Sequence, residues 1–222
     1  MAAAALAAGI VTSNAQVYSQ NVVGYVSVTI APTNFSLISV PLDYDGTGTN
    51  DLVGNVFGTN FLNGTSLENW VPGSGFVVNT FGPTSKNPTP HWTTPSQQYA
   101  PGEGIFVLNP SNVTYTVSIV GSVLQGNLTN QYINQAGFAL VGGMFPVSGG
   151  ISSTFGYAPD NGDAYESWTP AGGFTVNTYG PTSKNPTPHW GNGEPTLAVG
   201  QGAFILTTNP APIMETNFVV NP

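Results

Sequence analysis

Four side chains suited to acid–base or nucleophilic chemistry recur in this chain at a fixed spacing. Glu68, Ser85, Lys86 and His91 fall within residues 68–92, and Glu166, Ser183, Lys184 and His189 hold the same places in residues 166–190. A serine, a histidine and a carboxylate are the raw material of a hydrolase, but that chemistry needs a base held by a third group and donors for an oxyanion. No G-x-S-x-G nucleophile elbow accompanies them, and a solitary active site would need one copy rather than two. No catalytic residue is assigned, and the chain is read as a protein other than an enzyme.

The duplication itself is the stronger signal. Residues 68–92 read ENWVPGSGFVVNTFGPTSKNPTPHW and residues 166–190 read ESWTPAGGFTVNTYGPTSKNPTPHW, with 19 of 25 positions identical at an offset of 98. The closing GPTSKNPTPHW is invariant between the copies, and it contains both lysines and both histidines of a chain without arginine. Weaker echoes extend the repeat, among them GEGIFVL at 102–108 against GQGAFIL at 200–206, and FSLI at 35–38 against FALV at 138–141. Residues 22–26 align with 119–123. Each unit spans about 97 residues, too long for a solenoid repeat of ~20–50 and suited to a small all-β domain.

Three further chemistries are open to the residue types present. Asp43, Asp45 and Asp51 occupy relative positions one, three and nine of a segment with glycine at six, a partial echo of a calcium loop built from hard oxygen ligands. Position twelve is Gly54 rather than glutamate, which departs from that loop; calcium is the single cofactor candidate. Lys86 and Lys184 are candidates for a lysine–asparagine isopeptide bond, which requires a buried lysine beside an acid. Trp70, Trp92, Trp168 and Trp190, with Lys86, His91, Lys184 and His189, form a duplicated Trp/Asn-rich surface able to stack on sugar rings. A polysaccharide is therefore a candidate partner.

Composition narrows the partners. The net charge is −8, yet charged residues make up only 5% of the chain, against roughly 25% in typical soluble domains. Without a basic patch to displace counterions, nucleic acid is excluded as a partner. A surface of Asn, Thr, Ser, Gln and Gly offers little repulsion between neighbours, which favours association. Residues 2–11 are apolar and Ser13-Asn14-Ala15 satisfies the small-x-small rule, so residues 1–15 are expected to be a secretory signal and the protein extracellular. No apolar run approaches the ~20 residues that span a bilayer.

Alternating β-branched stretches at 22–30, 35–40, 76–80, 105–108 and 113–120, separated by Asp-Gly, Asn-Gly and Pro-Gly turns, predict an all-β fold. Two tandem similar sandwich or barrel-like domains are expected, at 16–119 and 120–222. Three prolines bar 82–91 from a central strand and predict an ordered loop. Residues 113–123 run without a turn signal through the junction between copies. The chain's two ends resemble the halves of that junction, which predicts head-to-tail self-assembly through terminal strands. The strand residues concerned are Val17, Val22, Val23, Tyr25 and Val26 at one end and Ile213, Phe218, Val219 and Val220 at the other. The segments QNVVGYV (20–26), FSLISVPL (35–42), ENW (68–70) and PGEGIFVLNP (101–110) resemble a family of uncharacterised secreted β-repeat proteins of environmental bacteria. That resemblance implies export and β-architecture and carries no activity.

Overall fold

The computed structural model describes residues 22–220, and the signal-like segment and Val17 lie outside them. The chain is nearly all β. The first copy runs β1 (Val23–Ile30), β2 (Phe35–Ser39), a single helical turn α1 (Val53–Val56), β3 (Ser66–Val71), β4 (Gly75–Gly82), β5 (His91–Trp92), β6 (Gly104–Leu108) and β7 (Tyr115–Ser122). The second runs β8 (Gly126–Thr129), β9 (Gly137–Gly142), β10 (Gly149–Gly150), β11 (Ala164–Thr169), β12 (Gly173–Gly180), β13 (His189–Trp190), β14 (Thr196–Leu197), β15 (Gly202–Thr207) and β16 (Glu215–Phe218). Two five-stranded antiparallel sheets result, ordered β2-β6-β3-β4-β5 and β9-β15-β11-β12-β13, and these orders correspond strand for strand. Neither sheet closes into a barrel.

The period-2 pattern decides what each face meets. On the first sheet Ile38, Leu67, Ile105 and Val107 point into the main core, where they join Val26, Ile30, Val117 and Ile119 of the β1/β7 ribbon. The opposite face carries Leu37 and Phe106, which join Leu140 and Phe204 of the second sheet in a smaller cluster. Strands β6 and β15 are therefore covered on both faces, which is why they read as near-continuous apolar runs.

The sheets are joined by reciprocal contacts. Ser39 N donates to Gly200 O at 2.8 Å, and Gly142 N donates to Gly102 O at 2.9 Å. Approach this close requires the repeated glycines. A Cβ on Gly104 would lie 2.7 Å from Val141 O, and one on Gly202 would lie 2.5 Å from Ile38 O. The G-x-G echo of the sequence is thus a steric requirement of the junction.

Both terminal strands find partners within the chain. Strand β1 pairs with β7 over its whole length, and β16 pairs with β8 from Glu215↔Thr129 to Phe218↔Gly126. Strand β7 accordingly continues through Ser122, beyond the boundary expected at 119/120. The counterpart of β1 in the second copy is β8 rather than 119–123. The likeness of 22–26 to 119–123 has a different cause: the two stretches pair with each other, with Gly24 opposite Gly121. A Cβ on Gly24 would meet Leu42 Cδ2 at 2.6 Å, and one on Gly121 would meet the Asp43 carbonyl. Both glycines clear space for the same crossing segment.

Gly104→Ala and Gly202→Ala are each expected to destabilise the fold by about 1–3 kcal/mol, because backbone carbonyls must move to admit the methyl group. Urea denaturation measures this, and Gly54→Ala, where no atom lies within 4 Å of the added carbon, is the control.

Candidate functional site

The two sheets do not cover each other completely. Beyond the Leu37/Phe106/Leu140/Phe204 cluster, the outward faces of β3–β4 and β11–β12 leave an open cleft of about 350 Å³ on the pseudo-twofold between the copies. Its lining is paired: Phe35 with Phe138, Glu68 with Glu166, Trp70 with Trp168, Phe76 with Phe174, and Phe106 with Phe204. Alternation accounts for the set, since Glu68, Trp70 and Phe76 share one face of the β3/β4 hairpin through the Trp70↔Phe76 and Glu68↔Val78 pairs.

Each indole is fixed by the other copy's first sheet strand. Trp70 Nε1 donates to Phe138 O at 2.8 Å and Trp168 Nε1 donates to Phe35 O at 3.1 Å. The rings meet edge to face, with Trp70–Phe76 at 5.2 Å and Trp168–Phe174 at 4.8 Å, the arrangement favoured by the aromatic quadrupole. Phe76 and Phe174 are each 44% exposed, so ring surface remains open to solvent. Glu68 accepts from Ser66 Oγ at 3.1 Å, whereas Ala164 at the matching place gives Glu166 no such donor. Burial raises the Glu166 carboxyl above its ordinary range. Among the described residues neither carboxylate meets a cation.

The invariant segments form two loops between β4 and β5 and between β12 and β13. Residues 83–90 and 181–188 are exposed throughout. Each tip is a closed turn: Thr84 N donates to Asn87 O and Thr182 N to Asn185 O, both at 2.8 Å. Asn87 N and Asn185 N donate to the hydroxyls of Thr84 and Thr182 at 3.1 Å, and Asn87 Oδ1 and Asn185 Oδ1 accept from Thr89 N and Thr187 N at 3.1 Å. His91 Nδ1 and His189 Nδ1 lie 2.8 Å from the carbonyls of Thr89 and Thr187. Identical sequence therefore gives two identical rigid fingers, with Ser85-Lys86 and Ser183-Lys184 at their tips.

The residues singled out in the sequence part company here. Trp70 and Trp168 line the cleft, but Trp92 and Trp190 are core residues, 2% and 6% exposed. They anchor the loop bases opposite Phe81 and Tyr179 and offer no ring face to a sugar. Lys86 and Lys184 stand in solvent, which removes the enclosure an isopeptide bond requires. Ser85, Lys86, His91 and Glu68 make no hydrogen bond to one another, the histidine and glutamate being bonded elsewhere.

The aspartates of the calcium candidate organise a turn. Asp43 Oδ1 accepts from Gly46 N at 2.7 Å, Asp51 Oδ1 from Tyr44 N at 2.8 Å, and Asp45 from Thr47 Oγ1 at 2.7 Å and Asn50 Nδ2 at 2.8 Å. Hydrogen bonds from Thr47 and Asn50 hold the Asp45 carboxyl below its usual range, and burial raises that of Asp51. No group of three or more His, Asp or Glu side chains is placed to hold a metal among the described residues. Of the assembly residues, Val23 and Tyr25 are exposed on β1, whereas Val26 is buried. Phe218 stacks on Phe145 at 4.1 Å, and Val220 N donates to Gln125 Oε1. Val22 O accepts from Val123 N, Ile213 O accepts from Ala158 N, and Val219 is exposed.

Sequence reasoning missed Glu103, which is 3% exposed beside the junction and pairs with Val141. Burial pushes its carboxyl up to about 8, a rise that the Tyr132 hydroxyl and Ala100 N–H only partly offset. Its repeat counterpart is the neutral Gln201, and that inequality was the available signal.

Comparison of the chain with protein-family models, curated proteins and solved structures finds no match. Among the described residues, no helix is long and apolar enough to cross a membrane.

Two outcomes follow for stability. Folded protein keeps a proton on Glu103 that the unfolded chain releases above about pH 4.5. Stability should therefore be fullest below that pH and fall as the pH rises toward 8. Urea midpoints at pH 5 and pH 8 should show that fall, with a much smaller one in Glu103→Gln. Trp92→Ala should cost about 3–5 kcal/mol as a buried aromatic truncation, read by the same method.

Proposed function

We propose that this is an exported structural protein whose copies self-associate outside the cell into a filament or surface layer. The observation that carries the reading is the open aromatic cleft on the pseudo-twofold. An exposed contiguous apolar patch marks an interaction site, and this one lies on a chain whose surface has almost no charge to keep neighbours apart. Export rests on the apolar 2–11 segment and the small residues that follow it.

Strand pairing between copies takes a modified form in this reading. Strands β1 and β16 each have one partner in their own chain, so neither leaves a vacant place in a sheet for a neighbour to fill. The outer side of β16 is already met at its start by residues 156–158, through the Tyr157↔Met214 bridge and the bond from Glu215 N to Gly156 O. Edge-to-edge addition therefore falls to β1, which has no second strand partner among the described residues. A contact between different surfaces is heterologous, and it propagates unless rotation closes a ring.

A secreted carbohydrate-binding, adhesin-like role is the second reading. It is favoured by the ring surface of Phe76, Trp70, Phe174 and Trp168 beside two carboxylates able to accept from sugar hydroxyls.

Sedimentation of the purified chain over a thousandfold concentration range separates the two. Self-association should raise the average mass with concentration, and Phe76→Ser with Phe174→Ser should suppress that rise. A constant monomer mass, with retention on a polysaccharide column lost in the same variant, would favour the second reading.

A further inference from the structure

We infer that the aromatic cleft is a receptor for the lysine finger of a second copy of this chain, with the Lys86 or Lys184 ammonium seated between the aromatic walls and facing Glu68 and Glu166. The inference rests on the self-association reading and supplies its contact.

Charge complementarity identifies the occupant. Lys86 and Lys184 are the chain's only Lys or Arg residues, and both are displayed at exposed loop tips. Glu68 and Glu166 sit half-buried in an apolar cleft and meet no cation among the described residues. A carboxylate removed from water without a partner is costly, and a cation delivered to it restores the balance. Aromatic faces attract the same ammonium through their quadrupole. One chain thus carries cations without anions on its fingers and anions without cations in its cleft.

The fingers suit that task mechanically. Their tips are closed by matching hydrogen bonds at 2.8 and 3.1 Å in both copies, and prolines flank each tip at 83, 88 and 90 and at 181, 186 and 188. Little conformational freedom is left to lose on docking. The proline rings also give the finger apolar sides to set against phenylalanine and tryptophan.

Symmetry explains why the fingers are identical in a chain whose copies differ elsewhere. A cleft built on the pseudo-twofold presents a glutamate, a tryptophan and a phenylalanine from each side. It looks nearly the same to a finger arriving in either of two orientations, so one receptor serves both donors. The fingers begin at Gly82 and Gly180, six residues along extended strand from Phe76 and Phe174, or roughly 20 Å. They project from the cleft's own strands toward a neighbour. With two fingers and one cleft per chain, the contact is heterologous and extends.

The test uses the purified chain in three forms: wild type, Lys86→Gln with Lys184→Gln, and Glu68→Gln with Glu166→Gln. Circular dichroism establishes that each is folded. The expected result is at least a tenfold rise in the concentration at which assemblies form, in both variants. Mixing the two variants should give discrete complexes of one finger-bearing chain with one or two cleft-bearing chains and no larger assembly, since one variant supplies only cleft and the other only fingers. Persistence of assembly at wild-type concentrations in both variants would overturn the finger contact while leaving self-association standing. A wild-type chain that stays monomeric throughout would overturn both. Should the glutamate variant fail to fold, a synthetic peptide GPTSKNPTPH is titrated against the wild-type chain with Trp70 and Trp168 fluorescence as the readout. It should bind at least tenfold more tightly than the same peptide with glutamine for lysine, and equal binding would overturn the inference.

Discussion

The whole arrangement hangs on how closely two backbones approach at the centre of the molecule. Gly104 lies against the Val141 carbonyl and Gly202 against the Ile38 carbonyl, at separations no side chain allows. That approach lets Ser39 and Gly142 donate across the junction. It also brings Phe35 and Phe138 within reach of the opposite indoles. Were the sheets a methyl group further apart, Trp70 and Trp168 would lose their acceptors and the rings around them their alignment. The cleft is therefore tied to steric closeness elsewhere in the junction, since the indole hydrogen bonds that frame it depend on that approach.

The same geometry explains where the aromatic residues go. Trp92 and Trp190 share their invariant segment with Lys86 and Lys184, yet they end on the core side, where they brace the loop bases. Trp70 and Trp168 sit on strands whose outward face lacks a covering layer. Burial on one side holds the finger still, and exposure on the other leaves a surface open. Rigidity at the loop and vacancy at the cleft both follow from which strand face each indole occupies.

Much of this was legible in the sequence. The 98-residue echo and the period-2 patterns gave the two all-β units, and three prolines gave the exposed loop. The G-x-G echo was visible as a pattern, but its cause was not, because a glycine's necessity depends on which chain segment approaches it. Likewise, the resemblance of 22–26 to 119–123 looked like repeat equivalence when it reflects two paired strands making room for Leu42 and Asp43. Four tryptophans in matching blocks could not be sorted into core and cleft without the register of β3 against β4 and of β4 against β5. Glu68 and Glu166 were read as candidate acids of a catalytic set, and only the sheet-to-sheet contact places them in one cleft.

The reciprocal junction has the form of a homodimer interface held within one polypeptide. Strands β7 and β8 lie only residues 123–125 apart, so the halves meet at an effective concentration that separate chains rarely reach. A true dimer would have to bear every junction residue twice, including two buried Glu103 carboxyls. The joined chain bears one and carries Gln201 at the other place. It likewise keeps Ser66 beside Glu68 and puts Ala164 beside Glu166. Covalent linkage thus releases each half from the obligation to match the other, and a cleft lined in matching pairs is free to acquire two unlike walls.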